Sequence, residues 1–227
     1  ALNMIQSFYL NEVKSNFILR HKTLQAIEKV IVESGKDNDS LNVVHSTAVR
    51  LYVKLAYSSN IPEFLDHIFT SGHNRLIANT LEAIALLQNK YGYLYVENFL
   101  ESSNNRIKST AVVELWRTRE DKTELVKILR HMLVSTDETQ TISAIWAIGR
   151  IRAVELFALL KPYIGKDVSH QINLHVGYAL IQYRYDLLTN KFGLSKGTLS
   201  SYYRLITSEM TDTASLERAS RCIYLSK

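Results

Sequence analysis

"ISAIWAIGRIR" (residues 142–152) places a small residue, Ala144, one helical turn ahead of an apolar one, Ile148. That i, i+4 pair is the stripe of a helix packed closely against its neighbours. Four other segments repeat it: "STAVRLYVKLA" (46–56), "ANTLEAIALLQ" (78–88), "STAVVELWRTR" (109–119) and "LHVGYALIQYR" (174–184). Ala48, Thr80, Ala111, Ala144 and Val176 fall at steps of 32, 31, 33 and 32 residues. Four positions after each come Tyr52, Ile84, Leu115, Ile148 and Leu180. A near-constant step of this length is the mark of a helical array, in which each unit buries its apolar face on the next. An irregular helical bundle needs no such step.

Between these first helices lies a second set: "IPEFLDHIF" (61–69), "YLYVENFLE" (93–101), "KTELVKILRHML" (122–133) and "AVELFALLKPYI" (153–164). Each carries apolar residues three and four apart. The breaks are short and polar: "SGHN" (71–74), "ESSNN" (101–105), "STDETQ" (135–140) and "GKDVS" (165–169). Asp121 followed by Glu124 predicts a capping box ahead of "ELVKILRHML". Composition agrees with helices joined by tight turns, because 8 glycines and 2 prolines in 227 residues leave few turn formers for sheets or long loops. With 46% hydrophobic residues the chain has enough apolar side chains for a core. The lone cysteine, Cys222, excludes an internal disulfide and points to a reducing cytoplasm. No signal peptide and no apolar run long enough to cross a membrane is present. The sequence begins "ALNMIQ" without an initiator methionine and ends within "RCIYLSK", which reads as a domain excised from a longer polypeptide.

These segments resemble the HEAT-like helical repeats, in particular the short bacterial form named after phycobilisome lyase subunits. "SAIWAIGRI" (143–151) carries the likeness best, since that family ends its first helix with Ala-Leu/Ile-Gly-x-Ile, here Ala147, Ile148, Gly149 and Ile151. The glycine occurs once, and "NNRIKSTA" (104–111) and "HNRLIANT" (73–80) only approximate the family's Asp-x-x-Val-Arg link. The resemblance covers roughly residues 40 to 185. It implies an all-α chain: a right-handed α–α superhelix, or HEAT-like solenoid, of about five to six hairpins with second helices lining a concave face. The expected organisation is a single α-solenoid domain over 1–227. It has N-terminal capping helices in 1–40, the best-defined repeats in 41–185 and an atypical terminal repeat in 186–227.

"KFGLSKGTLSSYYRLI" (191–206) competes with this reading, because it resembles a DNA-reading helix-turn-helix with Gly193 in the turn and Ser195 capping the second helix. The repeat step requires a second helix in the same place, and Leu199, Tyr202, Tyr203 and Ile206 have the spacing of a packed face. The preceding first helix is then "QINLHVGYALIQYRYDLL" (171–188), longer than the first helix of a DNA-reading pair, and the next spans "SLERASRCIYLS" (215–226). The repeat reading is preferred.

Catalytic constellations are poor. His21, His45, His67, His73, His131, His170 and His175 are scattered, with no i, i+3 or i+4 pair, so neither a metal nor another cofactor is expected. Cys222 reads as core filler, and the isolated glycines form no phosphate loop. Trp116 and Trp146 read as packing between repeats, and Tyr91, Tyr93 and Tyr95 as the turn into a second helix. What remains is a basic surface on successive second helices: Lys127, Arg130 and His131, then Lys161, then Lys196 and Arg204 beside Tyr202 and Tyr203. The net charge of +5 and pI near 9.2 permit contact with nucleic acid or an anionic membrane without demanding it, and Glu124 and Glu155 dilute the positive field. Two functions follow. One is a non-enzymatic cytoplasmic scaffold or regulatory domain that holds a protein partner, or a neighbouring domain of its own polypeptide, on the concave face. The alternative is nucleic-acid binding, since one class of DNA glycosylases is built from HEAT-like repeats, although Trp116 and Trp146 lie in first helices and match no cleft residues of that class.

Overall fold

The structure, a computed structural model, describes residues 10–34, 42–56, 61–70, 74–84, 95–165 and 167–209. Every regular element among the described residues is helical, and none of these helices is long and apolar enough to cross a membrane. The expected helix at 215–226, with Cys222, lies outside the described residues, as do Tyr91 and Tyr93. The chain divides into two compact units, Ala1–Leu115 and Trp116–Lys227. Charge divides with them. The second unit has 16 Lys and Arg against 11 Asp and Glu and so holds the entire net +5, whereas the first has 11 of each.

In the first unit, α1 (Phe17–Ser34) packs on α2 (Asn42–Leu55), and α2 and α3 (Ile61–Thr70) both pack on α4 (Asn74–Ile84). Asn16 starts α1 by accepting the Leu19 N–H at 3.1 Å. Arg20 of α1 donates from Nε to the Leu55 carbonyl and from Nη2 to that of Ala56 at 3.0 Å, so its charge meets the negative end of α2. Tyr52 stacks on Phe64 with ring centroids 3.9 Å apart and donates its hydroxyl to Glu28 at 2.9 Å. Burial, helped by the Glu28 contact, raises the Tyr52 phenol above its ordinary pKa, so it stays a donor. α5 (Asn105–Trp116) begins with Asn104 accepting the Ile107 N–H at 3.1 Å, and its residues Ser109 to Leu115 are all buried.

Of the second helix expected at 93–101, Tyr95–Glu97 is helical among the described residues, and beyond it Phe99, Leu100 and Ser102 close i→i+3 turns onto Val96, Glu97 and Phe99. Phe69 holds this turn through ring contacts with Tyr95 and Phe99 at 6.0 and 4.7 Å.

In the second unit, α6 (Thr123–Leu133) packs on α7 (Glu138–Ile151), and α7 packs on α9 (His170–Leu180). Between α7 and α9 runs α8 (Phe157–Leu160), tightened into 3-10 turns at Val154–Leu156 and Lys161–Tyr163. Pro162 explains the second tightening, because it has no N–H to continue an α ladder. α10 (Lys196–Glu209) packs on α9. Helices of the first set pack on one another, α2 on α4 and α7 on α9, while α3 and α6 each pack on the helix that follows and α8 and α10 on the one before. All ten repeat positions, from Ala48 and Tyr52 to Val176 and Leu180, are buried.

Asp137 caps α7 by accepting the Thr139 N–H at 2.9 Å, and Ser169 caps α9 by accepting that of Ile172 at 3.2 Å. The box expected at the start of α6 is corrected: Lys122 stands at the N-cap without a side-chain cap bond, Asp121 before it accepts the Thr123 N–H at 2.9 Å, and Glu124 is drawn to Arg119. Trp146 is also corrected: at 38% exposure it sits on the solvent side of α7 with Ser143 and Arg150. Trp116 is half-buried, with the Lys122 ammonium 5.5 Å from its ring centre.

Candidate functional site

The sequence reading carried α9 through to residue 188, and here the structure departs from it. α9 stops at Leu180, and Gln182 and Tyr183 tighten onto Ala179 and Leu180 through i→i+3 bonds. Tertiary contacts take over from helix periodicity at Tyr183. Its hydroxyl lies 3.4 Å from the Ile148 carbonyl and 3.2 Å from that of Ala153, and its ring meets Phe157 edge-on at 5.6 Å. Burial, together with the nearby Glu155 charge, keeps the Tyr183 phenol well above its ordinary pKa, so it remains a neutral donor.

The chain then returns through a π turn at Leu187–Lys191, which lets Phe192 stack on Phe157 with centroids 3.7 Å apart. Gly193 follows at φ +70°, a left-handed conformation that glycine adopts without strain. The Leu194 N–H closes the loop on the Leu188 carbonyl at 2.9 Å, and Ser195 caps α10 by accepting the Thr198 N–H at 3.0 Å. The turn glycine and the capping serine thus stand where the sequence reading puts them, and α10 stands where the repeat step requires a helix.

This return opens a recess of about 260 Å³ between the end of α9, the π turn and α10. Leu180, Ile181, Leu188 and Leu199 form aliphatic wall, and Tyr183 and Tyr202 add ring surface. Lys196, Ser200, Tyr185 and Tyr203 line the more polar side. The Lys196 ammonium and the hydroxyls of Ser200, Tyr185 and Tyr203 make no hydrogen bond or ion pair among the described residues. An apolar body can therefore enter while a charged or hydrogen-bonding group stays at the mouth.

Of the residues singled out from sequence, Lys196, Tyr202 and Tyr203 are brought together here. Tyr202 has a second role. It is buried, and its hydroxyl accepts the Gly165 N–H at 3.0 Å and lies 3.4 Å from Asn173 Oδ1. Lys127, Arg130 and His131 share the exposed side of α6, Lys161 is exposed beyond α8, and Arg204 is exposed on α10; none of the five lines the recess. Lys127, Arg130, Lys161 and Arg204 also have no acidic partner among the described residues. Glu124 is held by Arg119 and Asp186 by Arg184 at 2.8 Å, so these two acids do not reach the basic side chains. Tyr183, Tyr185 and Leu188 were missed from sequence. The signal was the Tyr-x-Tyr in "QYRYDLL" (182–188), hidden by reading that stretch as continuous helix.

Among the described residues no group of three His, Cys, Asp or Glu side chains is placed to hold a metal ion. No family model matches the chain, and neither curated proteins nor solved structures give a match. Fold and site together define a protein that is all-helical among the described residues, with an amphipathic, tyrosine-lined recess in its basic unit.

Proposed function

We propose that the chain is a helical-repeat binding module of the HEAT-like kind, whose second-helix surfaces hold an acidic segment of a protein partner. The observation that carries this reading is the set of exposed cations on α6, α8's C-terminal turn and α10 that have no acidic partner among the described residues, in the unit that contains all the net positive charge. Unpaired surface cations lose little on meeting carboxylates, and their summed field speeds the encounter with an acidic chain. Exposed Glu120 and Glu155 in the same unit disfavour a polyphosphate strand, which carries a charge at every nucleotide.

The test is a titration with dye-labelled (Glu-Asp)5 and, in parallel, the single-stranded decamer dT10, each over a range of salt. The combined variant Lys127→Glu, Arg130→Glu, Lys161→Glu is expected to weaken the peptide by about tenfold. Unchanged peptide binding in that variant sinks the reading. Tighter binding of dT10, with a salt slope near −0.7 per phosphate neutralised, favours the nucleic-acid alternative.

A further inference from the structure

We infer that the recess between α9 and α10 is an anchor site for one aromatic side chain of an acidic peptide, with Lys196 pairing a carboxylate beside it. The inference rests on the binding-module reading and names the partner's chemistry. A volume of about 260 Å³ exceeds that of a single branched aliphatic side chain and suits an indole or phenol ring with room to orient.

The walls favour a side chain over a stacked base. Leu180, Ile181, Leu188 and Leu199 offer aliphatic surface around a body entering end-on, whereas base stacking uses open ring faces. The Tyr183 and Tyr202 hydroxyls are committed inward, to the Ile148 and Ala153 carbonyls and to the 163–165 turn, so these rings are fixed before a ligand arrives. A rigid ring costs little entropy on binding, which is how aromatic anchors come to dominate affinity. The Lys196 ammonium and the Tyr185, Tyr203 and Ser200 hydroxyls, without partners among the described residues, then supply a cation and hydrogen-bond partners for a carboxylate or main-chain group at the mouth.

Two dye-labelled probes, Glu-Asp-Trp-Glu-Asp and Glu-Asp-Ala-Glu-Asp, test this by fluorescence anisotropy on the full chain. The tryptophan peptide is expected to bind at least about fivefold more tightly than the alanine peptide. Ser200→Trp, an exposed position whose new ring would fill the recess, is expected to remove that advantage, so that the two peptides bind this variant alike. Lys196→Gln is expected to weaken the tryptophan peptide by about threefold. Unaltered thermal melts of both variants show that the fold is intact. Equal affinity for the two peptides overturns the inference, as does an aromatic advantage that survives Ser200→Trp. Displacement of the tryptophan peptide by dT10 that is abolished by Ser200→Trp also overturns it, by assigning the recess to a nucleobase. The module reading fails separately: if Lys127→Glu, Arg130→Glu, Lys161→Glu leaves the alanine peptide unaffected, the cation surface is wrong whatever the recess does.

Discussion

Gly149 and Ala179 bring α7 and α9 into backbone contact: a Cβ on Gly149 would stand 2.7 Å from the Ala179 Cα and 2.8 Å from its Cβ. Neither atom is the end of a flexible side chain, so a methyl group there must push one helix away. Gly149→Ala gains up to about 1 kcal/mol of helix propensity but costs about 1–3 kcal/mol of overpacking. The urea midpoint is therefore expected to fall. Gly197→Ala is the control, because its Cβ meets nothing closer than the Ser195 hydroxyl at 3.7 Å, and it is expected to gain about 0.5–1 kcal/mol. Shifts of the same sign in the two variants would show that the helices do not touch at Gly149.

Asp121 gives a pH signature. The Thr123 hydroxyl and amide hydrogen-bond its carboxylate and hold its pKa below the usual carboxylate range. A depressed pKa in the folded state means stability that is present above the unfolded value of about 3.9 and is lost as pH falls through the folded one. Wild type is therefore expected to exceed Asp121→Asn in urea midpoint at pH 6, and the difference is expected to close on acidification below about pH 3.9. A difference that stays constant across that range would mean the carboxylate charge plays no part.

Arg20 closes the C-terminus of α2 through two carbonyls, Leu55 and Ala56. Truncating it leaves those acceptors without their charged donor, at about 1–2 kcal/mol. Lys22, exposed two residues along the same helix, supplies the comparison, and Lys22→Ala is expected to stay within about 0.5 kcal/mol of wild type. Thermal melts of Arg20→Ala and Lys22→Ala side by side check the point, and equal losses would remove the capping role.

Sequence carried the buried stripes and little of the recess, for a physical reason. Ala144 and Ile148, and their counterparts at each step, lie one helical turn apart on an apolar stripe, so their burial follows from local pattern. The end of α9 is set by partners 30 and 35 residues away, the Ala153 and Ile148 carbonyls that hold Tyr183, and no periodicity encodes those. The reading of 171–188 as one helix failed there, and it hid Tyr185 and Leu188 as walls of the recess. Trp146 failed differently: its apolar neighbours Ile145 and Ala147 are buried, but the 3.6-residue turn places it with Ser143 and Arg150 on the outer side. At 95–101 the apolar spacing was real, yet Phe69 meets both Tyr95 and Phe99, and beyond Glu97 the chain tightens into turns.

Adjacent tyrosines on α10 separate support from recognition. Tyr202 is buried, with its ring against Gly177 and its hydroxyl on the Gly165 N–H. Tyr203 is half-buried, lines the recess and has a hydroxyl with no partner among the described residues. Tyr202→Phe keeps the ring and loses the hydroxyl that fixes it, so it is expected to cost about 0.5–1.5 kcal/mol of stability and to lower tryptophan-peptide affinity by less than Tyr203→Ala does. Tyr203→Ala removes wall from the recess, so it is expected to weaken that peptide by about fivefold or more while costing about 1 kcal/mol or less in stability. Melting curves and peptide titrations on the same two samples give both readings. If Tyr202→Phe lowers affinity at unchanged stability and Tyr203→Ala does the reverse, the roles assigned to the two rings are exchanged, and the ligand contacts the Tyr202 hydroxyl rather than the Tyr203 side of the mouth.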